Sequence, residues 1–224
     1  MPERLSPLES CTDEYDESFV GALKYRTTWL NSGYDIIVSI SRLGKIFKQE
    51  VLCAIELSGN ERIVDIGCGT GVLMHEAGKR SAELEIVGID PDPEMLKMAA
   101  RKVSQLKNKI DLIRGFSTRI ALPDQSVDVC FSTLTFHHLS RVQKQKTAAE
   151  AHRILKDGGR LVVADFCRMC FPFLASFFLF ENRIYLRENF EGLVFDVISQ
   201  AGFSEIREIR RPFSLVSIIV AKKS

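Results

Sequence analysis

The chain has 224 residues, 46% of them hydrophobic, enough to bury a full core as one large domain or one domain with a small cap and too few for two full-sized domains. Thirty Lys plus Arg stand against 29 Asp plus Glu, a formal charge of +1, which argues against a nucleic-acid surface as the main function. The first 20 residues carry Glu3, Glu9, Asp13, Glu14, Asp16 and Glu17 without a basic-then-apolar leader pattern, so 1–20 is expected to be a flexible acidic terminus and the cytoplasm the location.

Residues 21–60 read as a helical cap. Helices are expected over 23–30 and 34–57, the second with Ile36, Ile37, Ile40, Leu43, Ile46, Phe47, Val51 and Leu52 at helical spacing. From residue 61 strands alternate with helices: strands over 62–66, 85–90, 109–114, 127–133 and 160–165, helices over 72–79, 93–106 and 141–155. Turns are expected at 123–126 and 156–159, and Pro93 suits the first turn of a helix. Such alternation specifies a parallel, doubly wound sheet with right-handed crossovers. After a helix over 190–201, the β-rich runs 205–210 and 213–221 are joined only by Arg211-Pro212, which permits a hairpin and no helical crossover. The expected fold is therefore α/β: a seven-stranded Rossmann-like sheet with an antiparallel last strand and an N-terminal helical cap.

The chemistry concentrates at Asp65-Ile66-Gly67-Cys68-Gly69-Thr70-Gly71, where a β-branched strand ends in alternating glycines and opens into a helix. A turn of that composition lets a ligand touch the backbone. Asp90 ends the next strand, 19 residues after Gly71, where a carboxylate accepts hydrogen bonds from ribose hydroxyls. The glycine spacing is not that of a dinucleotide fold, because the third glycine comes one residue early and Val72 stands where the last should be. No Lys-Ser/Thr phosphate loop follows either.

Asp65-x-Gly67-x-Gly69-x-Gly71 with Asp90 resembles the first motif and ribose-binding acid of class I S-adenosylmethionine-dependent methyltransferases, over about residues 34–221. That resemblance implies S-adenosylmethionine as cofactor, held by Asp65, Gly67, Cys68, Gly69, Gly71, Asp90, Pro91, Phe116, Ser117 and Thr133. The segment from Tyr34-Asp35 through Leu43-Gly44-Lys45 to Leu52 is similar to the opening of the ubiquinone and menaquinone biosynthesis C-methyltransferases, and also to that of bacterial phospholipid N-methyltransferases. Two departures separate the chain from the quinone enzymes. Arg114-Gly115-Phe116-Ser117-Thr118 replaces Gly-Asp-Ala, which leaves the adenine amino group to a backbone contact, Ser117 or Thr118, and the usual Gly-hydrophobic-Arg-Asn is missing after the fourth strand.

That strand ends in Thr133-Leu134-Thr135-Phe136-His137-His138-Leu139, at the carboxyl edge where open α/β sheets bind ligands. His137 and His138 are candidates for a general base or for orienting a polar acceptor, with a helix cap and a half-buried ring as the plain alternative. The absence of Asn/Asp-Pro-Pro-aromatic here argues against nucleobase and glutamine N-methyltransferases. An apolar insertion at 168–189 carries the run 171–180, ten residues where about 20 are needed to span a bilayer. It reads as a buried helix or as a lid which, with Tyr34, His137 and His138, closes over an apolar acceptor, with peripheral membrane contact open.

The six cysteines, at 11, 53, 68, 130, 167 and 170, are expected to be reduced, and Cys167-x-x-Cys170 alone is weak support for a metal. The expected activity is methyl transfer to a small hydrophobic, quinone- or lipid-like molecule, with no metal. A thiol or arsenite acceptor, a nicotinamide oxidoreductase and a non-catalytic cofactor-binding protein remain as alternatives, and the sequence leaves the oligomeric state open.

Overall fold

The computed structural model describes residues 42–166, 189, 191–209 and 216–224. In chain order these form α1 (Arg42–Ile55), β1 (Arg62–Ile66), α2 (Val72–Gly78), β2 (Glu85–Asp90), α3 (Pro93–Val103), β3 (Lys109–Arg114) and β4 (Val127–Thr133). A 3-10 turn (Phe136–His138) follows, then α4 (Arg141–Ile154), β5 (Leu155–Phe166), α5 (Leu193–Gln200), β6 (Ser204–Ile209) and β7 (Val216–Lys222). The chain divides into residues 1–50 and 51–224. Of the first unit, only residues 42–50 of α1 are described. The expected helix 23–30, the opening with Tyr34 and the apolar run 171–180 lie outside the described residues.

The seven strands form one sheet in the order β3-β2-β1-β4-β5-β7-β6. The first five are mutually parallel and β7 is antiparallel to both neighbours, β5 and β6. Strand order reverses between β1 and β4, so a crevice opens there beyond the strand ends. Burial follows position in the sheet. Central β1 and β2 are buried almost throughout because helices cover both faces, whereas edge strands β3 and β6 alternate between exposed and covered residues. Val64, Ile66, Val87, Cys130 and Leu161 join Ala148, Val194 and Ile198 in the core.

Local chemistry sets the boundaries. Asp92 caps α3 by accepting from the Glu94 N–H at 2.8 Å, with Pro93 following it. Ser140 starts α4 with a reciprocal box: the Ser140 N–H donates to Gln143 Oε1 at 2.8 Å and the Gln143 N–H to Ser140 Oγ at 3.4 Å. The expected turn at 156–159 is instead part of β5, which begins at Leu155 opposite Val127 and shifts register before Arg160 pairs with Val129. Gly158, at φ 77°, supplies the left-handed residue that this irregularity needs. Helix α3 stops at Val103 rather than 106, and α5 occupies 193–200 within the expected 190–201. Cys68 and Cys130 are buried thiols and Cys53 an exposed one. No helix among the described residues is long and apolar enough to cross a membrane.

Because α4 follows directly on the turn carrying the two histidines, its cap is expected to matter for stability. Ser140→Ala should cost about 1 kcal/mol, seen as a melting temperature about 2–4 °C lower. An unchanged thermal transition would show that the box contributes nothing.

Candidate cofactor and acceptor sites

The glycine turn is fixed from within. The N–H groups of Gly67 and Cys68 both donate to Ile89 O, at 2.8 and 3.0 Å, and the Gly71 N–H donates to Cys68 O at 2.9 Å. The Gly69 N–H donates to Asp90 Oδ2 at 2.9 Å, while Asp90 Oδ1 accepts from the Asp92 N–H at 2.9 Å. Four N–H groups that would face a pyrophosphate in a dinucleotide fold are thus engaged by the protein itself. Each glycine has its own reason. A Cβ on Gly71 would lie 2.9 Å from Ala99 Cβ, so that position lets α3 pack against the turn, and a Cβ on Gly67 would run into Thr135. Gly69, at φ 51°, has nothing within 4 Å of its hypothetical Cβ and faces open space.

Two carboxylates meet beside that space. Asp65 is buried at the end of β1, and nothing among the described residues donates a hydrogen bond to it; burial, then repulsion from Asp90, holds its pKa well above the usual carboxylate range. Burial raises the pKa of Asp90 as well, and its bonds from Asp92 and Gly69 offset only part of the effect. The neighbouring Cys68 thiol is pushed up by burial and by both carboxylates, so it stays neutral. The pocket favours a ligand that carries hydroxyl donors and positive charge, and disfavours a phosphate. Thr133 adds a buried hydroxyl without a partner at the end of β4.

The opposite wall is the 114–126 segment. Arg153 of α4 clamps it by donating to Leu122 O at 2.9 Å and Ile120 O at 2.8 Å, while Glu150 accepts from the Ile120 N–H at 2.6 Å. Burial raises the pKa of Glu150, but Arg153 and the Ile120 N–H more than compensate, so it stays ionised. Of the residues expected to meet the cofactor here, Pro91 and Phe116 are half-buried. Ser117 is engaged elsewhere, its hydroxyl 2.8 Å from Thr147 Oγ1 of α4.

On the other side of the switch point, Leu134 turns the chain out of β4 in a left-handed conformation, φ 53°, with its N–H donating to Ala164 O at 2.9 Å. A branched residue held there stores strain, and the turn aims the histidines at β5. His137 Nδ1 lies 3.0 Å from Asp165 Oδ1, and its own N–H reaches Asp165 Oδ2 at 3.4 Å. Burial would raise the pKa of Asp165, but His137 and the Phe166 N–H, 2.7 Å away, lower it overall, so Asp165 is an anion at neutral pH. Because Asp165 accepts, the proton belongs on Nδ1 and His137 Nε2 carries the lone pair. The His138 ring lies 3.9 Å from that of His137, centroid to centroid, tilted by 44°. Its surroundings and His137 hold its pKa below the ordinary value, toward about 4. Its ring is exposed, which limits the part due to burial, but in either case it is neutral at pH 7.

Sequence reasoning placed Asp65, the glycines, Asp90, Thr133 and both histidines at one edge of the sheet, and the structure brings them there. It missed Asp165, which was read only as a strand end. The available signal was the rule already applied to Asp90, an acid closing an apolar strand at the ligand-binding edge. Tyr34 is not described.

Residues 63–159 match the methyltransferase domain family. The chain belongs to the class I S-adenosylmethionine-dependent methyltransferases, and is an enzyme that uses S-adenosylmethionine. Among curated relatives it is similar to the ubiquinone/menaquinone biosynthesis C-methyltransferase UbiE of Geobacter sp. (strain M21), 31% identical over 220 residues covering 85% of this chain and 91% of the relative. The same enzyme of Citrifermentans bemidjiense is 28% identical over 220 residues, with the same two coverages of 85% and 91%. A solved geranyl diphosphate C-methyltransferase from Streptomyces coelicolor A3(2) shares the fold with TM-score 0.64 at 13% identity, covering 85% of this chain and 83% of that one.

The site fits this cofactor on its own terms: open space beyond Gly69, an unpartnered Thr133 hydroxyl, and two carboxylates suited to ribose hydroxyls and a cationic ligand. Asp90→Ala is expected to weaken S-adenosylhomocysteine binding by about 2–3 kcal/mol in a folded protein. Gly69→Val should abolish binding by filling the cradle. Titration calorimetry checks both, and unchanged affinity in either folded variant counts against the assignment.

The raised carboxylates give a second expectation. Their contribution to the stability of the cofactor-free protein is present below the ordinary carboxylate pKa and lost as pH rises through the raised values. A ligand that donates to the ionised forms lowers those pKa values, so binding releases protons and affinity rises with pH across that range. Calorimetry in buffers of different ionisation heat reads the release, and Asp65→Asn should reduce it. A proton count of zero would refute it.

Proposed function

We propose that the protein methylates a small hydrophobic acceptor of quinone- or lipid-like character, with His137 as general base and Asp165 holding the imidazole. The observation that carries this reading is the His137–Asp165 pair, 3.0 Å apart, at the carboxyl ends of β4 and β5, beside the switch point where the glycine turn lies. The two relatives bear the name of quinone-biosynthesis C-methyltransferases, which supports an acceptor with an activated ring carbon.

Bound S-adenosylmethionine supplies an electrophilic methyl group on sulfur. On the protein side, Asp90 and the Gly69 backbone seat the ribose end, and Asp65 favours the positive charge of the methionine portion. So held, S-adenosylmethionine would supply the methyl group to the acceptor carbon or oxygen and would leave as a neutral thioether that keeps the bonding pair. The acceptor's proton goes to His137 Nε2, and Asp165 stabilises the resulting imidazolium. Transfer of this kind needs alignment and a dry site, and the strained Leu134 turn fixes the imidazole against β5. His138 is the alternative base. It has no carboxylate partner comparable to Asp165, so we assign it a supporting contact.

His137→Ala and Asp165→Asn are expected to lower kcat by about 10²-fold or more without changing S-adenosylhomocysteine affinity, while His138→Ala has a smaller effect. The assay follows labelled methyl from S-adenosylmethionine into anaerobic 1,4-dihydroxynaphthalene and into a bacterial lipid extract. Full activity in His137→Ala removes the base assignment. Transfer to water-soluble thiols, with none to either hydrophobic pool, would overturn the acceptor class.

A further inference from the structure

Beyond the histidines, toward β7 and β6, a cavity of about 290 Å³ opens between the sheet and the segment that leads into α5. Its floor is a cross-strand row: Asp165 of β5 pairs with Ser217 of β7, and Val163 of β5 pairs with Ile219 of β7, which in turn pairs with Glu208 of β6. Residues on such a row project from one face of the sheet. The roof carries Asn189, Glu191, Phe195 and Asp196. Asp165 is common to this cavity and to the His137 pair, so the carboxylate that holds the imidazole also forms part of the cavity wall.

The cavity holds polar atoms that the protein does not satisfy. Asn189 is 1% exposed and neither its Nδ2 nor its Oδ1 has a partner; Ser217 is 2% exposed and its Oγ has none. Buried polar groups are normally paired, and an amide and a hydroxyl left without partners on two residues that line one cavity point to a ligand. Their chemistry says which. The amide offers a donor and an acceptor, and the hydroxyl offers both. An anion leaves Asn189 Oδ1 unmatched and also meets Asp165 and Asp196, with no Lys, Arg or His among the described lining residues. An ammonium group suits the charge of Asp165 and Asp196 but leaves Asn189 Nδ2 unmatched. A neutral hydroxyl, which donates and accepts at once, satisfies both side chains. Val163, Ile219 and Phe195 provide apolar walls around it, and the volume suits one hydroxylated ring system.

We infer that this cavity is the head-group end of the acceptor site, and that Asn189 and Ser217 select a neutral, hydroxyl-bearing ring and reject anions of the same shape. The inference rests on the methyltransferase reading above and adds the acceptor's polar chemistry to it. Three probes of matched size separate the choices: 2-naphthol, 2-naphthoate and 2-naphthylmethylammonium, titrated into the full chain saturated with S-adenosylhomocysteine. The naphthol is expected to bind at least tenfold more tightly than either ion. Asn189→Leu should weaken the naphthol at least tenfold and Ser217→Ala several-fold, both with unchanged S-adenosylhomocysteine affinity. Ser217→Ala, the smaller change, keeps the test in hand if Asn189→Leu does not fold. Saturable S-adenosylhomocysteine binding combined with equal affinity for naphthol and naphthoate, with no naphthol binding, or with naphthol affinity indifferent to both substitutions, overturns the inference and leaves the cavity to solvent. Failure of the unaltered protein to bind S-adenosylhomocysteine strikes instead at the underlying methyltransferase reading.

Discussion

The site is organised around a carboxylate that does two jobs. Asp90 closes the glycine turn by accepting the Gly69 N–H and starts the next turn by accepting the Asp92 N–H, in a position where burial and the Asp92 carboxylate work against its charge. A hydrogen bond from backbone to carboxylate is stronger than a neutral one, and this one bends the chain so that Gly69 presents bare backbone to the cofactor side. The same arrangement explains the choice of ligand. With the N–H groups of Gly67, Cys68, Gly69 and Gly71 all engaged by protein oxygens, the turn offers no phosphate cradle, and the two carboxylates concentrate negative charge beside it. A nucleoside with hydroxyl donors and positive charge relieves the repulsion; a dinucleotide increases it.

Much of this was legible in the sequence because it depends on local constraints. A β-branched run ending in alternating glycines has few conformations open to it, and an acid at the end of the next strand lands beside those glycines in a parallel pair whatever the rest of the chain does. The hairpin at the end of the chain was equally constrained, since the short link after β6 excludes a crossover. What could not be read were contacts between residues distant in sequence. The partner of His137 is 28 residues away on another strand, and Ser117 is bound to a threonine 30 residues away. Nothing near Ser117 announces Thr147, the partner on α4 that its hydroxyl finds. The insertion of β7 between β5 and β6 likewise has no local signature. A hairpin fixes antiparallel pairing but does not say which of its two strands meets the existing edge. The irregular start of β5 was misread because Lys156-Asp157-Gly158-Gly159 has turn composition, and the pairing of Leu155 with Val127 makes it strand.

The sheet order assigns separate tasks to its two halves. β1 and β2 carry the glycine turn and Asp90; β5, β7 and β6 carry Asp165, Ser217 and Glu208. β4 lies between them and contributes to both, through Thr133 on the cofactor side and, one turn later, through His137 on the other. That is the consequence of a switch point: neighbouring strands send their connections to opposite faces, which leaves the gap in which two ligands can meet.

Asp165 ties the His137 turn to the cavity beside β7, and this limits what can change around it. Its Oδ1 takes the imidazole and the Phe166 N–H, its Oδ2 takes the His137 N–H, and the same residue lines the cavity below Asn189. A carboxylate buried to this extent stays ionised only because those three donors oppose the effect of burial. Removing the imidazole therefore does more than delete a ring at the strand end. It takes away a hydrogen-bond donor that holds Asp165 ionised and pushes the carboxyl toward its neutral form, which changes the polarity of the cavity floor as well. The imidazole and the cavity are coupled through one side chain, and a substitution at His137 reaches the cavity floor through Asp165.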